Sequence, residues 1–174
     1  MLTSRQIKKI EKAAQKGTGC KLKLSKTQVK RGVIKFCGEE ILSGIPMDTP
    51  LTNVQLVTYA KKLHINCFRG VFSKDQLPAE PNKRECGIIN LEDSTGPGTH
   101  WTAYYKSPTK TFYFDSFGLS PPKEMLEYLK TEIIYNEEQV QGADDVVCGQ
   151  YCLFILYHLN KNVNFFDTIK KCRR

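Results

Sequence analysis

An α+β domain is expected from two stretches of this sequence. Residues 148–159 hold only two clearly polar side chains, Gln150 and His158, and their length favours a buried helix over a strand. Residues 100–105 and 111–117 are aromatic-rich and flank Lys106-Ser107-Pro108-Thr109-Lys110, which reads as a β-hairpin. With 174 residues, 40% of them hydrophobic and 25% charged, the chain can pack one domain and carry an appendage.

Taken in order, Ser4 caps a short helix with Ile7, Ile10 and Ala14 on one face and Gly17 as its stop. Cys20-Lys21-Leu22-Lys23-Leu24-Ser25 alternates apolar and basic residues, as a half-exposed strand does. Gly38, Gly44, Pro46 and Pro50 make residues 38–50 turn-rich, and the boundary is expected there: a basic N-terminal segment over 1–48 and a domain over 49–174. Thr52-Asn53-Val54-Gln55 fits a capping box. Leu56, Ala60 and Leu63 continue it at helical spacing, Val57 widens the face, and His64 ends the helix as a C-terminal cation. Residues 65–71 read as a loop or short strand, Pro78 and Pro81 bound a loop, and residues 86–91 form a short apolar strand. Beyond the hairpin, Pro121-Pro122 opens a helix with Leu126 and Leu129 inward, residues 133–135 make a short strand, and residues 164–174 are a frayed tail.

Charge is distributed unevenly. Residues 1–38 hold eleven Lys or Arg against the single acid Glu11, a net +10 in a chain of net +8, so the remainder carries −2. Such a segment suits a polyanion, with Lys21, Lys23, Lys26, Lys30 and Arg31 as candidate phosphate contacts; the plainer alternative is a solvated surface that aids solubility. The seven cysteines include no C-x-x-C pair, which argues against a zinc site and a disulfide framework and for a reducing compartment. The first residues lack the apolar core of a secretion signal, and no run approaches the ~18 to 20 apolar residues of a membrane span.

The chemistry-bearing residues cluster around the two stretches first named. Cys148 falls in the first turn of its helix, where the dipole and free N–H groups favour negative charge. Asp144 and Asp145 precede it as helix-start acids, Gly149 lets neighbouring backbone come close, and Gln141 lies on a loop that can fold an amide back towards the sulfur. A hairpin connection centred between Ser107 and Pro108 pairs positions whose numbers sum to 215. His100 then faces Asp115, on a side shared with Thr102 and Tyr113, while Trp101, Ala103, Phe112 and Phe114 face the core. A thiol, an imidazole, a carboxylate to orient it and an amide donor together suit acyl transfer. The bland alternative makes Cys148 a core residue and His100–Asp115 a surface ion pair.

In this order and spacing, Gly98-Thr99-His100-Trp101, Phe114-Asp115-Ser116-Phe117-Gly118 and Val140-Gln141-Gly142 ahead of Cys148-Gly149 resemble the adenain family. These are the cysteine endopeptidases of adenoviruses and their relatives. The likeness runs from about residue 51 to 159, and Phe68-Arg69-Gly70-Val71-Phe72 looks closest to proteases of polinton-like and adinto-like viral elements. The resemblance implies an α+β fold related to papain and to SUMO proteases, with a core helix carrying the cysteine packed on a mixed sheet. It implies maturation of viral capsid and core precursors, in the virion and the host nucleus or cytoplasm. Cys148 would be the nucleophile, His100 the general base and then acid, Asp115 its orienting carboxylate, and Gln141 an oxyanion donor beside the Cys148 N–H. Trp101 and Gly149 would flank the site. Neither a metal nor an organic cofactor is implied, but DNA is implied as an activator.

The sequence departs from the family in three places. Adenoviral members carry Glu where Asp115 stands, whereas related SUMO proteases carry Asp. No cysteine lies between Cys86 and Cys148 to hold a disulfide-linked activating peptide, and residues 1–48 fall outside the likeness. Two other functions fit the same residues: a SUMO-type isopeptidase, which a modifier-derived active-site probe would label, and a non-catalytic nucleic-acid-binding protein. If the basic segment binds DNA through phosphates, anisotropy titrations on scrambled duplexes should show affinity falling ~10³–10⁵-fold between about 50 and 200 mM salt for roughly six to ten phosphate contacts. Deleting residues 1–38 should remove most of that binding; equal affinities with and without the segment would assign it another role.

Overall fold

A computed structural model describes residues 36–172. The helix expected after Ser4, the strand expected over 20–25 and the candidate contacts Lys21, Lys23, Lys26, Lys30 and Arg31 lie outside the described residues. The fold is α+β. Nine elements follow in chain order: α1 (Asn53–Lys62), β1 (Phe68–Ser73), β2 (Glu85–Asn90), β3 (Trp101–Lys106), β4 (Thr111–Phe114), α2 (Lys123–Leu129), β5 (Ile134–Tyr135), α3 (Cys148–Asn160) and α4 (Phe165–Cys172). The strands form one sheet in the order β1-β2-β3-β4-β5. Its outer pairs, β1 with β2 and β4 with β5, are parallel, and the two inner pairings are antiparallel.

Both faces of the sheet are covered, so the central strands are buried throughout: every residue of β2 is enclosed. On one face α3 lies across β3 and β2. Leu153, Phe154, Ile155 and Leu156 of this helix pack with Ile88, Ala103 and Phe114 of the sheet and with Leu56 and Ala60 of α1. On the other face α2 brings Met125, Tyr128 and Leu129 against Ile89, Tyr104 and Tyr113. Between these aromatic side chains sits Glu85, 1% exposed, which accepts bonds from Arg69 Nη1 (2.6 Å), Asn82 N (2.7 Å), Tyr104 Oη (2.7 Å) and Tyr128 Oη (2.6 Å). Burial would raise its pKa, but these four donors outweigh burial and hold it below the ordinary carboxylate value.

Several expectations meet the structure directly. Thr52 and Gln55 close the capping box reciprocally at the start of α1. The two faces of the hairpin divide as the alternation predicts, with Ala103, Phe112 and Phe114 towards α3. The register, however, pairs Ala103 with Phe114 and Lys106 with Thr111, so paired numbers sum to 217 instead of 215. The four-residue turn is centred one position later than expected, where Ser107 Oγ and Lys110 bond each other (2.9 and 3.0 Å). A slip of two residues keeps each side chain on its face, so the facial assignment survives.

Other expectations are corrected. Leu126 is 50% exposed, and Met125 takes the inward place beside Tyr128 and Leu129. Residues 165–172 of the expected tail are helical, not frayed, with Phe165, Thr168, Ile169 and Cys172 buried at helical spacing. Asn164 Oδ1 accepts from the N–H groups of Phe166 (2.9 Å) and Asp167 (3.2 Å) to cap its start.

Residues on the N-terminal side of the expected 48/49 boundary also pack into the domain. Phe36, Leu42, Ile45 and Met47 belong to the main core. Residues 36–51 form a strap along α3. At the C-terminal end of the helix, Glu39 Oε2 meets His158 Nε2 at 3.0 Å, and at the N-terminal end Gln150 Nε2 donates to the carbonyls of Pro46 (2.6 Å) and Thr49 (3.0 Å). The two polar residues in the apolar run are therefore the two that fasten the strap.

Candidate functional site

Cys148 is the first residue of α3 and is 8% exposed. The first intrahelical bond runs from Tyr151 N to Val147 O (3.0 Å), so the N–H of Cys148 is one of those that helix geometry leaves without an intrahelical acceptor. Asp144 and Asp145 do not cap the helix: Val147 is the N-cap, and no acid occupies the first turn. Asp145 instead closes a turn in the approach loop, where its Oδ2 accepts from Gly142 N at 3.0 Å. Gly149 is where other chain segments crowd in. A Cβ there would stand 3.1 Å from Leu56, 3.3 Å from Leu51 and 3.4 Å from Trp101. Trp101 donates its Nε1–H to Leu51 O at 2.8 Å, which pins the end of the strap over the start of α3.

His100 and Asp115 lie just beyond the paired ends of β3 and β4. They meet diagonally, with His100 Nε2 2.9 Å from Asp115 Oδ1, and are 2% and 0% exposed. The same Oδ1 accepts from Phe117 N at 2.7 Å, and the Phe117 ring lies 4.9 Å from the imidazole. With Nε2 given to the carboxylate, Nδ1 is the ring nitrogen left for Cys148, whose sulfur is close enough to act on the His100 pKa. Burial alone would lower the His100 pKa. The Asp115 carboxylate, and after it the Cys148 sulfur, outweigh burial and raise the pKa well above the ordinary imidazole value. The imidazolium is thus the favoured form beside the Cys148 sulfur. Cys152, one turn deeper and fully buried, differs: desolvation pushes its thiol well above the ordinary range.

The turn after β4 holds the remaining parts. Gly118 N donates to Asp115 O (2.9 Å), and Gly118 has φ +68°, with room for no Cβ because the backbone of Glu137 and Glu138 passes within 2.7 Å of its place. Asn136 clamps the Asp115 backbone from both sides: its Oδ1 accepts from Asp115 N (3.1 Å) and its Nδ2 donates to Asp115 O (2.6 Å). Ser116 O accepts from the N–H groups of Val140 (2.9 Å) and Gln141 (3.1 Å), drawing the approach loop onto the turn. The Gln141 side chain is buried and fixed in orientation. Asp145 O accepts from Nε2 at 2.6 Å, and a carbonyl can only accept, so the nitrogen must face it. Oε1 consequently takes the Ser116 hydroxyl proton at 2.7 Å. One N–H of the amide is used in this way; the amide carries a second.

The structure thus brings Cys148, His100 and Asp115 together, sets Gln141 on the loop joined to that turn, and puts Trp101 and Gly149 at the helix start. Ser116 and Asn136 escaped the sequence reading. Ser116 sits in the Asp-Ser-Phe-Gly turn and could have been suspected there; Asn136 has no local signal, since its role depends on a contact 21 residues away. Among the described residues no three His, Cys, Asp or Glu side chains are grouped as metal ligands would be.

Comparison with known proteins finds viral proteases similar to this chain. No family model matches the chain. The protease of Bovine adenovirus C serotype 10 is 31% identical over 111 residues, covering 52% of this chain and 56% of that protein. The protease of Bovine adenovirus 2 is 27% identical over 137 residues, covering 68% of this chain and 61% of that protein. The chain therefore spans little more than half the length of these relatives. The crystal structure of the ASFV pS273R protease aligns with 71% of this chain and 65% of its own, at 17% identity and a TM-score of 0.46.

Proposed function

We propose that this chain is a cysteine endopeptidase of the adenain type that cleaves viral precursor proteins. The carrying observation is the buried Asp115–His100 pair beside Cys148 at a helix N-terminus; similarity to two adenoviral proteases supports the same reading. In this mechanism the Cys148 thiolate, paired with the His100 imidazolium, attacks a peptide carbonyl carbon and the carbonyl electron pair moves to the oxygen. His100, as imidazolium, then gives its proton to the departing amine, leaving an acyl-enzyme. A water, deprotonated by His100, attacks the thioester and releases the acid and the Cys148 thiolate, restoring the thiolate–imidazolium pair. The Cys148 N–H and the second Gln141 N–H are the donors for the oxyanion. Ser116 contributes by turning the amide so that nitrogen, not oxygen, faces inward. Within this reading the basic segment concentrates enzyme and substrate on DNA.

Cys148→Ala should abolish cleavage of a precursor-derived peptide in a folded protein, whereas Cys152→Ala should retain most of it. A folded Cys148→Ala chain that still cleaves would overturn the mechanism.

Gln141→Ala should lower kcat by ~10²–10³ with KM nearly unmoved, since the amide acts on charge that appears only in the transition state. A change confined to KM would make Gln141 a substrate-binding residue.

Asp115→Asn should move the alkaline limb of the pH–rate profile to lower pH. The carboxylate is the chief cause raising the His100 pKa, so without it the imidazolium is lost earlier as pH rises. An alkaline limb at the same pH in both proteins would leave Asp115 a purely structural role.

A further inference from the structure

We propose that Cys37 and Cys172 form a reversible disulfide, made by exchange with a small disulfide of the glutathione class, that staples the strap over residues 36–51 to helix α4. Their sulfurs lie 2.6 Å apart, about half an ångström longer than a disulfide bond, although the residues are 135 apart in sequence. Neither position is loose. Cys37 and Gly38, with φ of +49° and +79°, are the central residues of a type I′ turn closed by bonds between Phe36 and Glu39 (2.8 and 2.9 Å). Cys172 is the last residue of α4 and is 3% exposed. A second tie joins the same two segments: Lys171 Nζ donates to Glu39 Oε1 at 2.6 Å, while Glu39 Oε2 holds His158 of α3. The sulfurs are therefore presented to each other by contacts that do not depend on a bond between them.

Cys37 is half-buried and is the sulfur an oxidant reaches first. Its thiolate attacks one sulfur of the oxidant, forming a mixed disulfide and expelling one small thiolate. The Cys172 thiolate then attacks the Cys37 sulfur, closes the 37–172 bond and expels the second. Two protein thiols are oxidised, one small disulfide is reduced to two thiols, and the two protons end on those products. The consequence reaches the candidate site because the strap does: beyond Glu39 it bonds Gln150 through Pro46 and Thr49, and it ends at Leu51 under Trp101. Oxidation fastens the far end of the segment that packs against the start of α3. This chemistry is separate from peptide cleavage and leaves Cys148 as a thiol.

The test uses the full chain equilibrated in buffers of oxidised and reduced glutathione, alkylated with iodoacetamide and mapped by mass spectrometry, with thermal unfolding followed in parallel. A 37–172 cross-linked peptide should appear on oxidation, with the unfolding midpoint raised by about 10 °C over the dithiothreitol-reduced chain, as closure of so long a loop implies. Cys37→Ser and Cys172→Ser should each remove that rise, and Cys67→Ser, at an exposed position, should keep it. Should the buried Cys172→Ser variant not fold, Cys37→Ser and the peptide map decide the matter alone. Alkylated Cys37 and Cys172 in the oxidising buffer, a dominant 67–86 cross-link, or a 37–172 cross-link with an unchanged midpoint would each overturn the proposal.

Discussion

A carboxylate buried in a protein interior is costly without donors, and the two that Asp115 finds both fall on one oxygen, Oδ1, which constrains everything near it. Its Oδ1 takes the His100 ring and the Phe117 N–H, so the turn after β4 must be tight, and Gly118 makes it so. Its own backbone is gripped by Asn136, which ties β4 to the segment after β5. The next residue, Ser116, fixes the Gln141 amide and the loop leading to Cys148. One dipeptide thereby organises both a carboxylate–imidazole pair and an amide donor. Displacing either residue would disturb both, which is why the geometry here is a coupled unit and not a set of separate contacts.

Helix α3 supplies the opposing part. It is buried along nearly its whole length, between the sheet, α1, α4 and the strap. Close packing leaves its first residue little freedom to shift. The strap matters because α3 alone could not satisfy its own polar side chains: with residues 36–51 elsewhere, Gln150 Nε2 would lose both its carbonyl acceptors and His158 Nε2 its carboxylate, while His158 Nδ1 would keep Phe154 O.

Much of the site was legible because local periodicity carries it. The apolar run at 148–159, the capping box at Thr52 and the alternating aromatic strands each have a short-range cause, and each was read as such. Even the register error was harmless, because a two-residue slip preserves the faces and His100 and Asp115 have the reach to meet diagonally. What escaped was non-local. The strap's turn-rich sequence has no period to read, and its bonds to α3 come mostly from backbone carbonyls that any residues would offer. Asn136 acts through a contact that no spacing announces. Helix α4 shows helical spacing at Phe165, Thr168, Ile169 and Cys172, but it is short and ends in basic residues, a composition that also suits a solvated tail. Leu126 was misjudged by one position around a short helix, where Met125 faces inward instead.

The central claim is that Asp115 and Cys148 together hold His100 as an imidazolium. It can be read directly from the ring nitrogens by ¹⁵N NMR of the histidine side chains in the native chain, with His100 assigned through His100→Gln. The account predicts that His100 stays doubly protonated through neutral pH. A neutral ring at pH 7, with a titration midpoint near the ordinary imidazole value of about 6.5, would contradict it.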